Sequence, residues 1–259
     1  MSLFFYAPKR ALGTNELIQA LGATRLSRFD GEDFWLKNQR FVPNDGDILV
    51  CWGTSFPEIE GLRVLNAHDL PLTPAFVNNR FLMVGVPTLT LWNNAAGPGK
   101  VGYMPRTLDS KGGSDFLNTV FAANHVSYWS YKEAFDHEYR IHSFNQKSIR
   151  AGIKVHRDGF VSANNNWKPD SNIAHPWVRT WETGWRIQDF TSTKEMRTLA
   201  HMAIRALDLT FGVVDIGELP NKTLKVLGVS TLPILSGSAV QSYYRAITKW
   251  IGGANGQLP

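Results

Sequence analysis

Asp215 closes an aliphatic run, Phe211-Gly212-Val213-Val214-Asp215-Ile216, and a carboxylate in that position is costly to leave unpaired. Further on, Leu227-Gly228-Val229-Ser230 ends a second apolar segment, where alternation aims positions 228 and 230 to the same side of a strand. Glu138 and Arg140 open an alternating segment, and Lys154 lies on the segment that returns beside it. Arg106, Arg179 and the pair Gly112-Gly113 complete the set of residues able to do chemistry. Singly, each basic residue also suits a solvated strand, Glu138 an exposed strand start, and Gly-Gly a surface loop. The net charge of +5 also suits a cleft that holds a polyphosphate.

Other chemistries find less support. The seven histidines show no metal-ligand spacing, and no strand–Gly-x-Ser-x-Gly–helix elbow occurs. Cys51 is the single cysteine, so neither an intrachain disulfide nor a cysteine metal cluster forms, and its apolar neighbours predict a buried, inert thiol. Lys and Arg are scattered among Asp and Glu with no basic tail, which argues against nucleic acid despite nine tryptophans. No apolar run reaches the roughly 20 residues of a membrane span, and the N-terminus lacks signal-peptide order. The expectation is a soluble, cytoplasmic protein.

The elements that must position these residues follow from pattern. Thr14 is expected to cap a helix through Leu17, Ile18 and Leu21 that Gly22 ends. Ile48–Trp52 and Arg63–Asn66 read as strands of a parallel sheet. Strands are expected over 88–92 and 101–106, with a loop at 109–114. Residues 138–144 and 148–155 form a hairpin around Asn145-Gln146-Lys147. Thr193 caps a helix whose Met196, Leu199, Ala200, Ala203, Ile204 and Leu207 share one face. Val213–Ile216 and Thr223–Val229 pair antiparallel, and a last helix spans about 238–251 before a loose tail.

Three segments in this order carry a family resemblance: His137-Glu-Tyr-Arg-Ile-His-Ser-Phe-Asn145, Trp177-Val-Arg-Thr-Trp-Glu-Thr-Gly-Trp-Arg186, and Ala203 through Pro233. They resemble the C-terminal part of ATP-grasp carboxylate–amine ligases, especially the short versions found in tailed-phage genomes. Cys51-Trp52-Gly53 and Val64-Leu65-Asn66 are similar to the opening lobe of the same proteins. The resemblance implies an α+β ATP-grasp fold, with a small N-terminal α/β lobe over 1–75 ahead of lobes built on antiparallel sheets. A central lobe would cover 76–128, a C-terminal lobe 129–252, and a tail 253–259.

The resemblance also implies roles. Glu138 would bond the ribose, while Arg106, Arg140 and Lys154 would meet phosphates and Gly112-Gly113 would close over them. Arg179, with Lys154, would serve the acyl phosphate, and Asp215 would hold magnesium beside ATP. The pattern then fails at the metal: Gly228 and Ser230 stand where the family has Glu and Asn, Thr180 replaces an asparagine, and Asn79-Arg80 stands near an expected lysine. Losing outer-shell support alone weakens metal binding about 10–100-fold, so losing two inner ligands should weaken it at least as much. Two readings result. One is a pseudoenzyme kept for binding or structure, such as a phage particle component or a protein that binds a host factor. The other is an active ligase that forms an amide through an acyl phosphate.

Overall fold

The structure, a computed structural model, describes residues 2–7, 13–29, 33–53, 62–66, 74–89, 91–92, 103–106, 128–131, 133, 135–156 and 185–253. The elements run β1 (Leu3–Tyr6), α1 (Thr14–Ala20), β2 (Thr24–Arg25), β3 (Arg28–Phe29), β4 (Phe34–Leu36), β5 (Gln39–Arg40), β6 (Ile48–Cys51), β7 (Arg63–Leu65) and α2 (Pro74–Met83). Then come β8 (Leu91–Trp92), β9 (Tyr103–Arg106), β10 (Tyr128–Tyr131), β11 (His137–Phe144), β12 (Lys147–His156), β13 (Trp185–Asp189), α3 (Lys194–Ala206), β14 (Phe211–Glu218), β15 (Leu224–Ser230) and α4 (Ser238–Gly253). No helix among the described residues is long and apolar enough to cross a membrane.

The first lobe is a parallel sheet in the order β2-β1-β6-β7. All four residues of β6 are buried, because a central parallel strand is covered on both faces and therefore reads as a continuous apolar run. The meander β3-β4-β5 beside it has strands too short to show alternation in the sequence.

Helix α1 starts differently from expectation. Thr14 is not its cap but its first helical residue, buried and with no partner for its hydroxyl among the described residues. The capping position is Gly13, at φ 72°, pressed against Leu235 so closely that a Cβ there would lie 2.2 Å from the Leu235 carbonyl oxygen. Only glycine meets both demands.

The central strands form the antiparallel order β8-β10-β9. Thr88, expected in a strand with 91–92, instead bridges Val226 and donates its hydroxyl to the Val226 carbonyl at 3.1 Å.

The largest sheet, β13-β12-β11-β14-β15, is antiparallel throughout. The β11–β12 turn is a two-residue loop with Asn145 and Gln146 both at positive φ, the geometry whose twist matches a hairpin. One face packs on α2 and α3 through Tyr139, Ile141, Ala151, Val214, Ile216 and Val226. Thr193 caps α3 by accepting from Met196 N–H at 3.3 Å. The helix ends where Asp208 turns to φ 51°, with Leu209 N–H donating to the Ile204 carbonyl and Asp208 N–H to that of Arg205.

The opposite face of the sheet is welded to the first lobe. Phe144 and Phe211 pack with Phe5, Trp52, Leu65 and, from α4, Val240, Tyr243 and Ile247. Trp52 lies 4.9 Å from both Phe211 and Tyr243, ring centre to ring centre, and its Nε1 donates to the Pro233 carbonyl. Asn66, fully buried at φ 66°, accepts from the Thr210 and Phe211 N–H groups at 2.8 and 2.9 Å and donates to the Phe211 carbonyl at 2.9 Å. Replacing Asn66 by alanine strands three backbone groups at once, the two of Phe211 buried and the Thr210 N–H partly so. Asn66→Ala should therefore lower unfolding free energy by about 2–4 kcal/mol. Chemical denaturation measures this, and a loss below about 1 kcal/mol would show that the clamp does not hold the lobes.

Candidate functional site

Strand register brings the expected site residues to one face. Arg140 stands opposite Asp215 on β14, and Asp215 stands opposite Gly228 on β15. Val213 pairs with Ser230 one step along, so Gly228 and Ser230 share the side of Asp215, as alternation requires. Lys154 on β12 reaches Glu138 on β11.

The groups close on one another. Arg140 donates from Nε to Asp215 Oδ1 at 2.8 Å and from Nη2 to Oδ2 at 2.9 Å, a two-pronged pair that engages both carboxylate oxygens. Each partner keeps about a quarter of its side chain exposed, 29% and 26%. Burial alone would raise the Asp215 carboxyl. The charges of Arg140 and then Lys154 override it and hold the group down at about 2. The same Asp215 charge raises Arg140. Lys154 Nζ meets Glu138 Oε2 at 2.8 Å, with the two side chains only 13% and 9% exposed. Arg150 extends the row of cations on this face and bonds Asp189, which is largely exposed.

Beneath this row sits His142, buried and in edge contact with the Tyr243 ring, 5.7 Å between centres. Neither His142 Nδ1 nor the Tyr243 hydroxyl has a partner among the described residues. Burial, and then the charges of Arg150 and Arg140, push the His142 imidazole down to about 3, so it is neutral at every ordinary pH. A second network lies at the far end of the sheet. There Tyr139 donates to Glu218 at 2.8 Å and Lys222 holds the other Glu218 oxygen, while Lys225 pairs with Glu133.

The donor set does not fit magnesium. That ion demands several hard oxygens in near-octahedral array. Both Asp215 oxygens already accept from a guanidinium tethered on the neighbouring strand, which would stay beside any divalent ion placed there. Gly228 offers no side-chain oxygen, and the Ser230 hydroxyl accepts from Leu232 N–H at 3.2 Å within its own turn. Among the described residues no three His, Cys, Asp or Glu side chains gather as a metal would need.

Of the remaining candidates, Arg106 ends β9 opposite Tyr128, while Gly112, Gly113 and Arg179 lie outside the described residues. Asn79 and Arg80 lie inside α2, where Arg80 donates to the Ala206 carbonyl and pairs with Asp208 at the end of α3. Arg80 thus serves packing between those helices. The Arg140–Asp215 contact, joining residues 75 apart, was not anticipated from the sequence; a Glu-x-Arg strand facing an aliphatic strand that carries one Asp is the signal that could have found it.

No protein-family model matches the chain, and no characterised protein matches it by sequence. Solved structures do match. The ATP-grasp ligase PsnB complexed with a minimal precursor superposes with TM-score 0.62 at 13% identity, covering 96% of this chain and 98% of that one. D-alanine–D-alanine ligase from Bacillus anthracis gives 0.61 at 10% identity, over 96% and 91%. The macrocyclase MdnC from Microcystis aeruginosa MRC, bound with its precursor peptide MdnA, gives 0.58 at 10% identity, over 95% and 98%. The chain has the ATP-grasp fold.

The charged face makes a testable statement about pH. The unfolded chain binds a proton at His142 below about pH 6.5, which the folded chain refuses until about 3. Stability should fall as pH drops through that window, by up to about 1.4 kcal/mol per pH unit. Asp215 adds a loss only further down, as pH falls from about 4 towards 2. His142→Phe should flatten the profile between pH 6.5 and 5, and equal slopes in the two proteins would refute the assignment.

Proposed function

We propose that this chain is a nucleotide-binding ATP-grasp protein in which ligase turnover is lost and the scaffold serves binding. One observation carries the reading: the Asp215 carboxylate is locked to Arg140 while its strand neighbours Gly228 and Ser230 supply no replacement ligand. Acyl-phosphate chemistry needs cations that neutralise two anionic reactants as charge develops, and here each described cation on that face already has a carboxylate partner. In this reading Glu138 would meet the ribose, and Lys154 and Arg140 would lie beside the phosphates. A peptide is the partner most in keeping with the fold's neighbours, since structures of PsnB and of MdnC each hold a precursor peptide, PsnA2 and MdnA. A role on a phage particle or against a host protein would be one use of such a scaffold.

An active amide-forming ligase is the second reading, favoured by the room beside Asp215. A Cβ built on Gly228 meets nothing within 4 Å.

Thermal melting and phosphate release separate the two. With ATP and magnesium at ten times the dissociation constant, binding should stabilise the fold by about 1.4 kcal/mol, a rise of about 3–6 °C. Glu138→Ala should abolish that rise, with no phosphate released from ATP in the presence of carboxylates and amines. Phosphate release that requires both and disappears in Lys154→Ala would replace this reading by the ligase. No melting shift at millimolar nucleotide would end the nucleotide reading altogether.

A further inference from the structure

The charged face holds a guanidinium where the fold's chemistry would place a divalent ion. Arg140 is directly opposite Asp215 in the β11–β14 register, so strand pairing itself delivers the guanidinium to the carboxylate. Nε and Nη2 engage Asp215, and no described residue bonds Nη1. The space flanking Gly228 is open, and it lies on the far side of Asp215 from β11. A cation fixed by two charge-assisted hydrogen bonds needs no reorganisation to stay in place, unlike an ion that must first be stripped of water.

We infer that Arg140 is a built-in counter-cation to Asp215, and that nucleoside di- or triphosphate binds this site without a divalent metal. The inference rests on the nucleotide reading above and specifies the ionic form of the ligand. Phosphate oxygens would meet the remaining guanidinium edge of Arg140 and the ammonium of Lys154, which has donors beyond the one given to Glu138. The Asp215 carboxylate, neutralised by its partner, would no longer repel them. Metal sensitivity, normally a signature of this kind of chemistry, would therefore be absent from binding.

Titration calorimetry of the full chain with ADP, in excess EDTA and again in millimolar magnesium, tests this. The two dissociation constants should agree within about threefold. Manganese alone, followed by electron paramagnetic resonance, should show no protein-bound ion. A tenfold or greater tightening by magnesium, or manganese bound by the unaltered protein, would overturn the metal-free inference while leaving nucleotide binding intact. Absence of ADP binding in both buffers would overturn it together with the reading it rests on. A designed contrast comes from Gly228→Glu with Ser230→Asn and Arg140→Gln, which restores donor oxygens and removes the competing cation. That variant should bind manganese and tighten on ADP about tenfold or more when magnesium is added. If it folds, as its melting curve reports, and stays indifferent to both metals, then Arg140 and the missing donors are not what excludes the ion and the inference fails.

Discussion

The alignment of β11 with β14 is the constraint from which the rest follows. Eight consecutive residue pairs, His137 with Glu218 through Phe144 with Phe211, fix which side chains face which way. A slip by one residue would send Tyr139 and Ile141 out of the α3-side core and drive Arg140 into it, because side chains alternate with period two. Burial on both faces forbids that slip. Ile141, Val214 and Ile216 are buried on one side, and Phe211 and Tyr243 on the other. The Arg140–Asp215 pair is thus a consequence of apolar packing rather than an independent choice. Charges partly exposed on a sheet contribute little to stability by themselves, but they inherit a fixed partner from the hydrophobic register beneath them.

That inheritance bears on function. A carboxylate intended for a metal must present its oxygens to the groove, whereas here they face a neighbouring strand. Glu138 is likewise met by Lys154. The face is a set of matched pairs, close to neutral among its described groups, and the uncharged His142 beneath it is held in that state by burial, with the same guanidinium groups adding to it. Adding a divalent ion to such a face means parting a charge-assisted pair. Adding a ligand with hydrogen-bond acceptors means only sharing donors.

Much of this architecture was legible because period and capping declare themselves over long segments. The elements of the β11–β12 hairpin, the capped helix α3 and the pair β14–β15 each carry 7 to 13 residues of pattern, and the ATP-grasp fold followed from their order. Short elements were less legible. β1 has four residues and the β3-β4-β5 meander strands two or three, too few for alternation to show. The start of α1 misled because Thr14 has the chemistry of a cap, while the close approach of Leu235 to Gly13 is a tertiary fact no local pattern contains. The substitutions at 228 and 230 were visible as losses, but their complement, a guanidinium from 75 residues earlier, depended on register. Asn66 gave no signal beyond an asparagine at a strand end, although it clamps β7 to the start of β14.

The weld between lobes also decides which part of the face solvent can reach. Trp52, Phe5 and α4 cover the sheet at the end carrying Phe144 and Phe211, which are 3% and 0% exposed. Moving along the same face, exposure rises to 29% at Arg140 and 26% at Asp215. Farther along the face Lys154 and Glu138 are again only 13% and 9% exposed, so among the described residues accessibility centres on Arg140, Asp215 and the edge carrying Gly228 and Ser230. The same packing that fixes the register therefore also decides that the Arg140–Asp215 pair, and not the aromatic end of the face, is what solvent reaches.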